Sequence, residues 1–141
     1  MIYVEEKNLE KQVSLLKILL GKNEMDLVAW AYPEAKIKAF LGSPILVDEA
    51  GSIESATEYA NAKKKRTQRL SIGCDFLGKI TKEGAAIKSS IDSLCFYEKD
   101  SASWSFCAIP HEGMCLIRAN ETISAIQAEG YSASLEPPSW W

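Results

Sequence analysis

Histidine is nearly missing from this sequence: His111 is the single copy among 141 residues. Histidine is the usual proton shuttle near neutral pH and the commonest metal ligand. A catalytic centre or metal site that needs two histidines of one chain is therefore excluded. The sequence also contains no complete catalytic or cofactor motif. We expect a protein that is not an enzyme and holds neither a metal nor a cofactor.

Long apolar runs are lacking as well, and we expect no secretory leader. The first residues include Glu5 and Glu6, where a signal peptide carries positive charge followed by an apolar stretch. The richest apolar stretch, residues 13–20, is interrupted by Ser14 and Lys17 and is too short to span a bilayer. We therefore expect a cytoplasmic protein without a membrane partner.

The four cysteines all lie in the second half of the chain, and no two have the C-x-x-C spacing of a structural zinc site. A chain of this length can bury roughly two-thirds of its surface and does not need disulfides to fold. We expect one globular domain over residues 1–141. Its thiols are expected to be buried and free: Cys74, Cys95, Cys107 and Cys115.

The N-terminal half has helical patterns. Apolar residues recur at helical spacing from Asn8 to Leu20, and Gly21 is a natural stop. Asn23 could cap a second helix that ends before Pro33, although residues 27–31 could instead form a buried strand. Further predictions are a short helix over residues 33–41, an extended piece over 44–47 and a helix from the capping box at 55–58 towards residue 66.

The C-terminal half changes to short β-favouring runs. Residues 94–98, 103–109 and 114–118 are separated by turn-like segments, which predicts two consecutive hairpins. A helix over residues 121–128, capped by Asn120, and a final strand over 131–135 follow. These patterns predict an α+β fold, with N-terminal helices packed on a small C-terminal antiparallel sheet and one late helix.

Simple four-residue turns fix a register for these hairpins. The register pairs Tyr97 with Trp104, Cys95 with Phe106, Phe106 with Ile117, and Ala108 with Cys115. One face of the sheet would then carry Cys95, Tyr97, Trp104, Phe106, Ala108, Cys115 and Ile117. Cys107 and Cys115 would point to opposite faces. Neither face is plainly polar, so we expect both to be covered at least in part.

Charge is distributed unevenly. Residues 1–60 have a net charge of −4, residues 61–90 of +6 and residues 91–141 of −5. The basic middle contains a cluster that could bind nucleic acid through phosphate neutralisation: Lys63, Lys64, Lys65, Arg66 and Arg69. The acidic third could instead steer the chain towards a basic protein. Its candidate partner-binding residues lie at a strand end and in the turns: Glu98, Asp100 and Glu112.

Two tryptophans, Trp140 and Trp141, follow a Pro-Pro pair. Tryptophan is frequent at binding hot spots, and a stiff lead-in lowers the cost of ordering the segment. The leading hypothesis is therefore a non-catalytic protein-binding module, such as an immunity or antitoxin-type inhibitor of a toxin or nuclease. We expect these acidic candidate residues and the two tryptophans to contact a basic partner.

Two alternatives remain at this point. One is a nucleic-acid-binding accessory protein that uses the basic cluster. The other is a small cysteine-dependent enzyme, in which His111 and Glu112 act on Cys107 or Cys115. A turn histidine and a strand thiol need not face each other, so an exposed turn residue is the simpler interpretation of His111.

Overall fold

The structure is a computed structural model that describes residues 1–20, 25–32, 45–49, 53–63, 68–72, 78, 82 and 84–141. The secondary-structure elements in chain order are β1 (Ile2–Glu5), α1 (Leu9–Leu20), β2 (Met25–Ala31), β3 (Ile45–Glu49), α2 (Glu58–Lys63), β4 (Gln68–Ile72), α3 (Gly84–Ser90), β5 (Ile91–Glu98), β6 (Trp104–Ile109), β7 (Met114–Ile117), a 3-10 turn (Asn120–Thr122), α4 (Ile123–Ala128) and β8 (Ser132–Ser134). None of the described helices is long and apolar enough to cross a membrane.

The described strands form one antiparallel sheet of eight strands, in the order β3-β4-β2-β5-β6-β7-β1-β8. The predicted α+β class is confirmed. The predicted division is matched only in part. The N-terminal helix α1 packs on the sheet, but the helices are short and the sheet is neither small nor C-terminal: β1 lies between β7 and β8, and β2 lies between β4 and β5.

The second predicted helix is wrong, and its strand alternative is confirmed. Residues 25–30 of β2 are all buried, and all of them except Asp26 are apolar. A strand buried on both faces has such a nearly continuous apolar pattern, and periodicity cannot separate it from a buried helix. The extended piece expected over residues 44–47 is confirmed for its described part, which belongs to β3 (Ile45–Glu49). The helix expected over residues 33–41 lies outside the described residues.

One face of the sheet packs against α1. Asn8 caps this helix, since its Oδ1 accepts hydrogen bonds from the backbone N–H groups of Glu10 and Lys11 at 2.8 and 3.2 Å. The predicted helix is therefore confirmed. Its apolar side chains enter the first core, the cluster of Ile2, Val4, Leu9, Val13, Leu15, Leu16, Met25, Leu27, Ala29, Ile91, Leu94, Phe96, Phe106, Ala108, Cys115, Ile117 and Ile126.

The other face carries a second core. Its buried members are Val28, Trp30, Ile53, Ala60, Cys95, Tyr97, Trp104, Cys107, Ile109, Met114 and Leu116. Residues 53–63 lie over this face, and α2 begins there with Thr57, whose Oγ1 accepts a hydrogen bond from the Ala60 N–H at 3.1 Å. Side chains thus cover both faces, as the apolar pattern predicts.

The register of the β5–β6 hairpin shifts by one residue. Tyr97 pairs with Trp104 as predicted, but the next pair is Phe96 with Phe106, which leaves Ser105 unpaired in this ladder. Cys95 therefore pairs with Cys107 and not with Phe106. An extra residue in one strand is a β-bulge, and it reverses the side to which later residues point.

The predicted apolar face is consequently divided between the two cores. Cys95, Tyr97 and Trp104 belong to the second core, whereas Phe106, Ala108, Cys115 and Ile117 belong to the first. The β6–β7 register has no such shift: Phe106 pairs with Ile117 and Ala108 with Cys115, as predicted. The late helix begins as a 3-10 turn and continues as α4, and the final strand is β8.

The β6–β7 turn requires glycine at position 113. Gly113 has φ of 68°, and a Cβ added there would lie 2.8 Å from Lys7 Cγ and 3.1 Å from Lys7 Cα. Gly130 has φ of 87°, but an added Cβ would meet no atom within 4 Å.

Both Gly→Ala substitutions should destabilise the fold, and to different extents. The left-handed backbone alone costs about 1–2 kcal/mol for alanine, which is the full effect expected for Gly130→Ala. Gly113→Ala should cost more, because the Lys7 backbone must also move. Urea unfolding of the two variants checks this, and equal losses would contradict the close approach at Lys7.

Candidate interaction surface

Residues 137–141, here called the aromatic segment, lie against β1. Trp140 Nε1 donates a hydrogen bond to Glu5 Oε2 at 3.4 Å, and the ring of Trp141 meets that of Tyr3 edge-on at a centroid distance of 6.5 Å. Alternate residues of a strand point to the same face. Ile2 and Val4 enter the first core, so Tyr3 and Glu5 present the opposite face of β1 to the aromatic segment.

The two tryptophans are held in place and are nevertheless exposed. The backbone N–H of Trp141 donates a hydrogen bond to Pro138 O at 3.0 Å. The two indole rings contact each other edge-on at a centroid distance of 6.1 Å. Trp140 remains 54% exposed and Trp141 45%. The other two tryptophans, Trp30 and Trp104, are 0% and 2% exposed. An exposed aromatic pair of this kind can contact a partner without first becoming ordered.

One carboxylate contacts this pair, and another precedes it in the chain. Glu5 accepts the hydrogen bond from Trp140, and Glu136 is an exposed residue just before the two prolines. Glu112 lies at the same end of the sheet as Glu5, because Glu5 pairs with Met114 at the close of the β6–β7 turn. Sequence reasoning missed Tyr3 and Glu5. The alternation of side chains in β1 is the one sequence signal that could have indicated these two residues. No pattern in the sequence near residues 140 and 141 indicates that they contact this strand.

The remaining two predicted partner residues do not join this surface. Glu98 ends β5 and Asp100 lies in the β5–β6 turn, at the opposite end of the sheet from the β6–β7 turn. Consecutive hairpin turns lie at opposite ends of the strands that they join. The structure therefore brings Glu112, Trp140 and Trp141 to the same part of the molecule and separates Glu98 and Asp100 from them.

The basic cluster is described only in part. Lys63 is the last residue of α2, and Arg69 lies in β4, where it pairs with Asp48 of β3. Lys64, Lys65 and Arg66 fall outside the described residues. The geometry therefore adds nothing to the charge pattern in favour of a nucleic-acid site.

His111 contacts an aromatic ring and a carboxylate. Its Nε2 lies 3.6 Å from Glu112 Oε1, and its ring meets that of Tyr32 at 6.2 Å. Partial burial, together with the nearby carboxylate of Asp92, raises the pKa of Tyr32. The neutral phenol is therefore favoured, and Tyr32 is a poor proton acceptor at neutral pH.

Asp92 is a buried carboxylate with two hydroxyl donors. Thr57 Oγ1 donates to its Oδ2 at 2.6 Å, and Ser93 Oγ donates to the same atom at 2.9 Å. A buried carboxylate needs such donors to offset its loss of water. Since Thr57 also caps α2, this group joins α2 to β5. Its role is to anchor residues 53–63 on the sheet.

The two thiols considered as catalytic nucleophiles lie within the two cores. Cys107 belongs to the second core and Cys115 to the first, on opposite faces as predicted. Burial raises the pKa of the Cys115 thiol, and burial together with the neighbouring Cys95 raises that of Cys107 well above its usual value. A buried thiol with a raised pKa is a poor nucleophile.

Within the described residues, no three His, Cys, Asp or Glu side chains are grouped so that they could hold a metal ion.

Thiol labelling tests the cysteine-dependent alternative. In the reduced native protein at pH 8, iodoacetamide should label Cys107 and Cys115 slower than in the urea-unfolded chain by roughly 100-fold or more, because both access and thiolate formation require opening of the sheet. Peptide mass spectrometry assigns the labelled positions. Rapid stoichiometric labelling of either thiol in the native protein would restore the enzyme hypothesis.

Tryptophan fluorescence tests the exposed pair. Caesium and iodide should quench part of the emission, because Trp140 and Trp141 are exposed while Trp30 and Trp104 are buried. Iodide quenches free indole more efficiently than caesium does, so each ion's quenching is first divided by its quenching of free N-acetyltryptophanamide. On this relative scale caesium should quench more strongly than iodide, since the Glu5 carboxylate contacts the exposed pair. The double variant Trp140→Phe, Trp141→Phe should leave only emission that neither ion quenches. Equal relative quenching by the two ions would contradict an acidic surround.

No protein-family model, no curated protein and no solved structure matches this chain significantly.

Proposed function

We propose that this chain is a non-catalytic protein-binding module that recognises a partner with a basic surface. The observation that carries the proposal is the pair Trp140 and Trp141, exposed to solvent yet fixed by Glu5 and Tyr3. The binding surface consists of these two tryptophans with Glu5, Glu112 and Glu136 nearby.

The ordering of the aromatic segment supports this proposal. Binding costs free energy when a flexible segment must be immobilised, and this cost is lower when the segment is already held. The hydrogen bond to Glu5 and the ring contact with Tyr3 hold the indoles before any partner arrives. Tryptophans in such positions dominate many protein interfaces.

The charge beside the indoles supports a basic partner. Lysine and arginine side chains bind the face of an indole ring through cation–π attraction, and a nearby carboxylate adds to that attraction. Glu5 is exposed there, Glu136 is exposed four residues before Trp140 in the chain, and residues 91–141 have a net charge of −5. Complementary charge also raises the rate of encounter and excludes acidic partners.

An immunity or antitoxin-type inhibitor is the form of this function that we favour. A nuclease or another toxin that acts on nucleic acid needs a basic surface to bind phosphates. An acidic module with rigid aromatic anchors can cover such a surface and block its substrate.

The test uses the product of the gene adjacent to the one that encodes this chain. The two proteins are expressed together and purified through a tag on one of them, and we expect a complex of defined stoichiometry. Trp140→Ala and Trp141→Ala should each weaken binding by at least about 10-fold, as hot-spot residues do. Emission from the exposed tryptophans should also lose its quenching by caesium when the partner covers them.

Matched charge variants separate this surface from the rest of the acidic third. Glu5→Gln keeps an oxygen that can accept the Trp140 N–H but removes the charge, so it should slow association at low salt. Asp100→Asn removes a carboxylate at the opposite end of the sheet, and asparagine tolerates its positive φ of 64°. This control should associate at the unchanged rate.

Several outcomes would overturn the proposal. These are the absence of a complex, equal effects of the two charge variants, and unchanged affinity in both tryptophan variants. Retardation of DNA or RNA by the chain at low salt, abolished by charge reversal at Lys63 and Arg69, would support the nucleic-acid alternative instead.

A further inference from the structure

Cys95 and Cys107 lie directly opposite each other on the neighbouring strands β5 and β6. The Cys95 thiol donates to Cys107 Sγ at a sulfur–sulfur distance of 3.1 Å. Non-bonded carbon atoms pack at about 3.5–4.0 Å, and sulfur is the larger atom. The two sulfur atoms are therefore closer than ordinary packing contact.

The strand register gives the two cysteines a Cα spacing that suits a disulfide. Directly opposed residues of antiparallel strands have Cα atoms about 4.5–5.5 Å apart. Disulfide-linked cysteines have Cα atoms about 4.4–6.8 Å apart. Closing a bond between Cys95 and Cys107 therefore needs a rotation of side chains and no displacement of the strands.

The surroundings also accept this bond. Cys95 pairs with Val28 on its other side and Cys107 pairs with Leu116, and all four residues belong to the second core. A disulfide is apolar and fits such a site. The Cys107 thiol makes only a weak contact with Ala108 O, at 3.8 Å. Oxidation of this thiol therefore removes no strong hydrogen bond.

We infer that Cys95 and Cys107 form one specific disulfide across β5 and β6 when this chain meets a disulfide donor, such as oxidised glutathione or a protein disulfide. One cysteine loses its proton and attacks a donor sulfur, which forms a mixed disulfide and releases one donor thiol. The second cysteine then attacks the mixed disulfide and releases the second donor thiol. Two electrons and two protons pass from the cysteines to the donor.

The folded sheet controls when this exchange occurs. Both cysteines are fully buried, so a donor reaches them only while β5 and β6 are apart. The bond therefore forms during folding or local opening and is afterwards protected from reduction. Cys115 does not compete, because it belongs to the first core and pairs with Val4 and Ala108.

Oxidative refolding tests the inference. The reduced, unfolded chain is refolded with a mixture of oxidised and reduced glutathione, free thiols are alkylated, and peptides are mapped without reduction. We expect a loss of two hydrogen atoms, one cross-linked peptide pair that carries Cys95 and Cys107, and an alkylated Cys115. The thermal midpoint should rise by roughly 5–10 °C over that of the reduced protein, because the bond closes the loop between residues 95 and 107 in the unfolded chain and so lowers its entropy.

Two variants act as controls. Cys95→Ser should abolish both the mass change and the difference between the thermal midpoints in oxidising and reducing buffer. Cys115→Ala should keep both. The inference is overturned if Cys95 and Cys107 are recovered alkylated, bound to glutathione or paired with another cysteine, or if the mapped disulfide lowers the thermal midpoint.

Discussion

Ser105 of β6 is left out of the β5–β6 pairing, and this shift determines which residues of β5 and β6 share a face of the sheet. Before it, Trp104 points to the second core, and after it Phe106 points to the first, although residues two apart in a regular strand share a face. The ring of Phe106 can therefore meet that of Phe96 edge-on at 5.7 Å within the first core. The same shift places Cys107 opposite Cys95. The two cores and the cysteine pair thus depend on one local irregularity, which pattern reasoning with regular hairpins cannot anticipate.

Features with local causes could be predicted from the sequence. The helix after Asn8 needs only a cap and an apolar period, and the turns at residues 99–102 and 110–113 need only residues that favour a turn. The places of β1 and β2 could not be predicted, because β1 pairs with residues 114–117 and β2 with residues 91–98, which are far away in the chain. Burial on both faces also removed the alternation that would have marked β2 as a strand.

The residues of the candidate surface also could not be grouped correctly without the pairing of distant strands. Composition grouped Glu98 and Asp100 with Glu112, since all three lie in the acidic third of the chain. The sheet separates them by the length of β5, whose eight residues span roughly 25 Å at the usual rise. Exposed charges are screened over about 8 Å at physiological ionic strength. The two ends of the sheet therefore act as separate electrostatic sites, and only the end near Glu5 has exposed tryptophans beside it.

The position of β1 explains why that end can present a rigid surface. β1 is hydrogen-bonded on both sides, to β7 and to β8, and Ile2 and Val4 fix its orientation through burial in the first core. A slip of one residue would expose these two side chains and turn Tyr3 and Glu5 into that core, so the register is strongly held. The burial that stabilises the sheet therefore also holds the two residues that orient Trp140 and Trp141. Trp140 and Trp141 themselves lie outside the strands, so their arrangement depends on the hydrogen bond to Glu5 and the ring contact with Tyr3. Under the proposed function, this support would reduce the ordering cost that binding of a partner has to offset.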